Sequence, residues 1–117
     1  MNLTITARTP SETTCILAVE GEVDVYTSPQ LKQEIVARAD GGVRHLIINL
    51  SKVEYLDSTA LGVLIGGLKR LREVEGNLTL VGPGMRILRI FEITGLDKIF
   101  DICETEQEAA AKEGISL

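Results

Sequence analysis

No stretch of this 117-residue chain constrains its fold more than residues 45–50, His-Leu-Ile-Ile-Asn-Leu. The run is nearly continuous in apolar residues and lies between two segments with helical signals. A strand buried on both faces reads this way, and such strands belong to parallel sheets covered by helices. Before it, Thr27-Ser28-Pro29-Gln30 opens a helix: Thr27 or Ser28 can cap it, and Pro29 suits the first turn. Leu31, Ile35 and Ala39 then share one face, and Gly41-Gly42 ends the helix. After it, the apolar segment 53–56 leads to a second helix starting at Ser58, a serine placed to cap it. Leu61, Leu64, Ile65, Leu68 and Leu71 follow the spacing of one helical face, and Gly76-Asn77 terminates it.

The remaining segments extend this alternation. Residues 3–7 alternate and residues 15–19 are apolar, with the turn Pro10-Ser11-Glu12 between them, so they predict a hairpin. Gly21-Glu22-Val23-Asp24 reads as a loop leaving its second strand. Residues 78–81 predict a strand, followed by the turn Gly82-Pro83-Gly84. Residues 85–94 predict a third helix with Ile87, Leu88 and Phe91 inward and Gly95 closing it. Residues 99–102 predict a short strand, and Thr105-Glu106-Gln107-Glu108 is a capping box that opens a last helix through Ala109-Ala110-Ala111. The order is β-β-α-β-α-β-α-β-α. It predicts an α/β fold: a mixed sheet of four or five strands, mostly parallel, with about four helices.

Composition narrows the function. Apolar residues make up 44% and charged residues 25%, enough for a core and a soluble surface. With two Tyr, two Phe and no Trp, that core is aliphatic. The net charge of −5, and basic residues no denser than Lys69, Arg70 and Arg72, argue against nucleic acid as a partner. Cys15 and Cys103 sit in apolar segments and form neither a disulfide framework nor a metal set, so buried thiols in a reducing cytoplasm are expected. There is no signal-peptide pattern at the start. The longest apolar segment, 61–68, is far short of the roughly 20 residues a membrane helix needs.

No catalytic constellation emerges. His45, the one histidine, begins an apolar strand and reads as a strand-end residue. No serine lies in a G-x-S-x-G elbow, there is no P-loop, and no His, Cys, Asp and Glu set has metal spacing. Asp24 and Asp57 are single carboxylates on separate loops. Ser58, Gly62 and Gly66 fall near one line along the second helix, and Gly67 adjoins them. A glycine inside a helix costs up to about 1 kcal/mol relative to alanine, so three of them need a reason. Close packing of helix on sheet is one. A bare strip for a partner's backbone is the other, and the sequence leaves both open.

Asp57-Ser58-Thr59-Ala60-Leu61-Gly62-Val63-Leu64 resembles the phosphorylation-site motif of the bacterial anti-sigma factor antagonists, the single-domain STAS proteins. Gly21-Glu22-Val23-Asp24-Val25-Tyr26, followed by Thr27-Ser28-Pro29, resembles the family's first conserved loop. Phe91-Glu92-Ile93-Thr94-Gly95-Leu96 resembles its third signature. The resemblance covers nearly the whole chain. One departure is Ala60, where the family commonly has glycine.

The resemblance implies a single STAS domain over residues 1–117 and a partner-switching regulator rather than an enzyme. The unphosphorylated antagonist binds an anti-sigma factor that is also a serine kinase, and a sigma factor is freed. Phosphorylation at Ser58, with Thr59 the runner-up, ends that binding, and a serine phosphatase resets it through a transient contact. Asp24, Asp57, Thr59, Gly62 and Gly66 are the expected partner-binding residues. Asp24 is placed near Ser58 because loops at the C-terminal ends of parallel strands converge on one edge. No cofactor, nucleic acid or membrane is implied. The alternative is a STAS-like sensory module that binds a nucleotide or other small ligand, with Gly82-Pro83-Gly84 before a helix as its support.

Overall fold

The computed structural model describes residues 2–117. Five strands form one sheet: β1 (Leu3–Arg8), β2 (Thr14–Val23), β3 (His45–Leu56), β4 (Asn77–Val81) and β5 (Asp101–Cys103). Four α-helices connect or follow them: α1 (Ser28–Asp40), α2 (Ser58–Glu73), α3 (Met85–Thr94) and α4 (Glu106–Lys112). The strands lie side by side in chain order, with β1 antiparallel to β2 and every other neighbouring pair parallel. In such a monotonic order, right-handed crossovers carry successive connecting helices to one face. Accordingly α1, α2 and α3 cover one face, where Leu31, Ile35, Leu64, Leu68, Ile87 and Phe91 pack on Leu17, Leu46, Ile48 and Leu80. The other face holds Ile16, Ile47, Val81 and Cys103 beneath Ala109 and Ala110 of α4. Leu46 and Ile48 face one layer and Ile47 the other, so β3 is buried on both sides, as its continuous apolar run requires.

Chain ends are joined across this second layer. An Arg8 guanidinium nitrogen lies 2.6 Å from Glu106 Oε1, and Asn49 Nδ2 donates to Glu106 Oε2 at 2.8 Å. Burial pushes the Glu106 carboxyl up, but the Asn49 bond and the Arg8 guanidinium outweigh it and hold it below its ordinary range. Cys15 and Cys103 are buried free thiols, and burial pushes the Cys15 thiol up against the opposing pull of Arg38. His45 lies at the start of β3, its Nδ1 3.0 Å from a Glu113 oxygen.

Several boundaries differ from the sequence reading. Gly21, Glu22 and Val23 are not a loop but the last residues of β2, and β3 runs on to Leu56. Gly21 holds φ +115°, and a Cβ there would overlap the Asn2 carbonyl, so only glycine lets β1 pair so closely. The last strand begins at Asp101 rather than residue 99, because Leu96–Lys98 form a 3₁₀ turn after the left-handed Gly95. At α4, Thr105 accepts from the Glu108 N–H at 3.1 Å, but the Glu108 carboxylate accepts from Glu104 instead of closing the box.

Candidate functional site

The site begins where β2 and β3 outrun the sheet. β4 ends at Val81, opposite Asn49, so beyond that point β3 has only β2 beside it. Within this ribbon Ala18 and Glu20 face Asn49 and Lys52, and Gly21 and Glu22 face Val53 and Tyr55. Each time β3 carries one extra residue, a bulge that bends and re-aims a strand. Val23 then pairs with Leu56, and the Asp57 N–H donates to the Val23 carbonyl at 3.2 Å. Asp24 and Asp57, the next residues on each strand, therefore leave the same end side by side. The convergence expected from topology is present.

Asp57, not Ser58, caps α2. Its backbone is extended, at φ −102° and ψ −175°, and its Oδ1 accepts from the Ala60 N–H at 3.0 Å. Ser58 is the first residue inside the helix and is exposed, its hydroxyl not needed for the cap. Serine and aspartate are near-equal caps, and only the backbone angles decide between neighbours. Asp24, on the other strand end, is 4% exposed rather than a surface residue. Its Oδ1 accepts from the Tyr26 N–H at 2.8 Å and the Thr27 N–H at 2.9 Å. Thr27 caps nothing in α1; its hydroxyl donates to the Glu22 carbonyl at 2.8 Å, and Ser28 is buried. The Thr27 N–H does most to hold the Asp24 carboxyl below its ordinary range; burial opposes it, and the Tyr26 N–H and Thr27 hydroxyl add to it. Asp24 Oδ2 is buried without a hydrogen-bond partner among the described residues.

The three helix glycines separate into two roles. A Cβ on Gly67 would lie 2.9 Å from Ile35 Cγ2 and 3.1 Å from Leu78 Cδ1, so Gly67 permits close packing of α2. Gly62 and Gly66 are exposed, and a Cβ on either would meet nothing within 4 Å. Close packing accounts for Gly67, while Gly62 and Gly66 leave a bare strip open to solvent. Thr59, Gly62, Val63 and Gly66 line a cleft of about 300 Å³ against Lys32 and Val36 of α1. The expected residues thus form two connected groups: Asp24, Asp57 and Ser58 at the strand ends, and Thr59, Gly62 and Gly66 along the cleft. Ala60 is fully buried, so its methyl adds nothing to this surface.

Two residues carry weight that the sequence reading did not give them. Tyr26 is 82% exposed and Val25 57%, in the turn beside Asp57. An apolar pair between a carboxylate turn and a helix start was the available signal. Gly82 and Pro83, by contrast, line a cavity shared with Asp97 and Glu104, whose carboxylates oppose a polyphosphate. Among the described residues no group of three or more His, Cys, Asp and Glu could hold a metal, and no helix is long and apolar enough to cross a membrane.

A mixed sheet in chain order, three helices on one face, and a serine opening the central helix define the STAS class. The STAS domain model matches residues 4–109, and the chain belongs to that family. Among its relatives, the anti-sigma-B factor antagonist of Staphylococcus epidermidis is 43% identical over 91 residues, covering 77% of this chain and 84% of the relative. The structure of an anti-sigma factor antagonist from Mycobacterium paratuberculosis is 32% identical with a TM-score of 0.82, over 95% of this chain and 93% of that one. The antagonist SpoIIAA shares the fold in its unphosphorylated form, with a TM-score of 0.85 at 24% identity over 97% of this chain and all of that one. The phosphorylated form from Bacillus gives 0.76 at 23% identity over 94% and 99%.

Proposed function

We propose that this chain is an anti-sigma factor antagonist switched by phosphorylation of Ser58. Unphosphorylated, it binds an anti-sigma factor that is also a serine kinase, and the sigma factor is released. The kinase transfers phosphate from ATP to Ser58, the complex dissociates, and a serine phosphatase restores the hydroxyl. Two relatives bear the name of anti-sigma factor antagonist at 43% and 32% identity, and SpoIIAA keeps this fold with and without phosphate.

The observation that carries the reading is the division of labour at Asp57 and Ser58. Because Asp57 caps α2, the Ser58 hydroxyl is exposed and unused by the fold. A phosphoserine brings roughly −1.5 to −2 charges. The first-turn amides and dipole of α2 favour an anion there, so the domain tolerates it. A partner surface fitted over Ser58 does not, because it would desolvate that charge between Asp57 and itself. Asp57, Thr59, Gly62 and Gly66 form the surface that the partner covers, and the buried Asp24 supports it from within the strand end. Asp24 Oδ2, buried and unpartnered at the same strand end, is an acceptor left within the tip to orient the Ser58 hydroxyl.

Incubation with the kinase and ATP, followed by mass spectrometry, tests this directly. Phosphate on Ser58 is the expected result. Phosphate on Thr59 alone, or on a distant residue, contradicts the assignment.

A further inference from the structure

We propose that Tyr26, with Val25 beside it, is the apolar anchor by which the anti-sigma factor kinase grips the tip that carries Ser58. The inference rests on the partner-switch reading and names the residue that holds the partner.

The argument starts from how the chain spends its aromatic rings. Both phenylalanines are buried and packed edge to face, Phe91 against Phe100 with centroids 5.7 Å apart. Both tyrosines are exposed on the β2–β3 ribbon or its turn. Tyr55 faces Glu22 near the end of the ladder, and Tyr26, at 82%, is among the most exposed large apolar residues of the chain. A single exposed ring is ordinary, but Tyr26 stands beside the exposed Val25 in one turn, and an apolar pair presented together in this way suits an interface.

Tyr26 is also presented rigidly. The Asp24 carboxylate holds its N–H at 2.8 Å and that of Thr27 at 2.9 Å, and the Ser28 N–H donates to the Asp24 carbonyl at 2.8 Å. A ring on a fixed turn loses little conformational freedom on binding, which is the property of an interface anchor.

Topology then makes the contact hard to avoid. Val23 pairs with Leu56, and the Asp57 N–H reaches the Val23 carbonyl at 3.2 Å, so the turn holding Tyr26 and the start of α2 emerge together. Adjacent strands lie roughly 4.8 Å apart. A kinase whose active site reaches the Ser58 hydroxyl must cover this turn as well. The surroundings specify the pocket that receives the ring. Glu22, Glu54 and Asp57 make the surface of the tip acidic. The matching surface is an apolar pocket with a basic rim, as on a protein partner. A free nucleotide or an anionic lipid surface would be repelled.

The test measures binding of the unphosphorylated chain to its purified anti-sigma factor kinase by calorimetry, together with melting temperature. Tyr26→Ala is expected to weaken binding at least about 30-fold, the range of an anchor residue, with the melting temperature unchanged. In the kinase reaction it raises KM and leaves kcat near wild type. Tyr26→Phe, which keeps the ring, stays within about threefold. Ile93→Ala removes another exposed apolar side chain, 77% exposed on α3, and leaves binding unaltered. Tyr26→Ala binding within threefold of wild type overturns the anchor. So does a Tyr26→Phe loss as large as that of alanine. Failure of wild type itself to bind the kinase overturns the partner-switch reading and the anchor with it.

Discussion

At the start of α2 two neighbouring side chains do different work: Asp57 satisfies a helix amide and Ser58 stays free. Asp57→Ala removes the cap and is expected to lower stability by about 1 kcal/mol in urea unfolding. Ser58→Ala changes an exposed position and stays within about 0.5 kcal/mol while abolishing phosphorylation. The reverse order would return the cap to Ser58. Asp24 is the second test at this scale. Asp24→Asn keeps an acceptor for the Tyr26 and Thr27 amides but loses the charge at the strand end. It is expected to slow phosphorylation of Ser58 measurably, and unaltered kinase kinetics would remove Asp24 from the site. The place of Ser58, exposed at the start of α2, was legible in the sequence because the hexapeptide Asp57-Ser58-Thr59-Ala60-Leu61-Gly62 is local. The cap was not, because a Ser beside an Asp offers two chemically similar candidates. The burial of Asp24 was not legible either, since it depends on a turn that folds the carboxylate back onto two amides.

Along α2 the three glycines give opposite predictions for one substitution. Gly62→Ala and Gly66→Ala meet no atoms within 4 Å and should each stabilise the helix by up to about 1 kcal/mol. Both add a methyl to the proposed partner surface and should weaken binding. Gly67→Ala drives a methyl to 2.9 Å from Ile35 Cγ2, and overpacking of this kind typically costs about 1–3 kcal/mol. Thermal melts of the three variants decide it, and a common sign would contradict the division. Helical periodicity and start and stop residues made all four α-helices readable even where the capping side chain was misassigned, and Gly95 closes α3 in the left-handed conformation as expected. The first four strands were read too short. Polar residues such as Glu22 and Lys52 break the apolar pattern, yet their backbones pair in the ribbon, and two bulges in β3 disrupt its period-two alternation.

The molecule as a whole is an alternating α/β chain whose strand–helix order implied a mixed, mostly parallel sheet. What the order did not reveal is that β2 and β3 extend past β4, which is what isolates the Ser58 tip. Two carboxylates, one in the second layer and one at the tip, add a pH dependence. Glu106 and Asp24 have carboxyls held below their ordinary range in the folded state, so the folded chain binds fewer protons there than the unfolded one. Their contribution is complete above the ordinary carboxylate range and is lost as pH falls through the lowered folded values. Melting temperature should therefore drop in acid, and the advantage of wild type over Glu106→Gln at neutral pH should shrink with it. A difference that is constant with pH would contradict the linkage. The central claim is that phosphate at Ser58 acts at the interface and leaves the fold in place. Its most direct test is the affinity of enzymatically phosphorylated and unphosphorylated protein for the anti-sigma factor, with circular dichroism and melting temperature of both. The account predicts at least about a 30-fold loss of affinity, the equivalent of about 2 kcal/mol, with spectra and melting temperatures closely matched. Equal affinities, or a loss of binding that appears only together with a loss of structure, would contradict it.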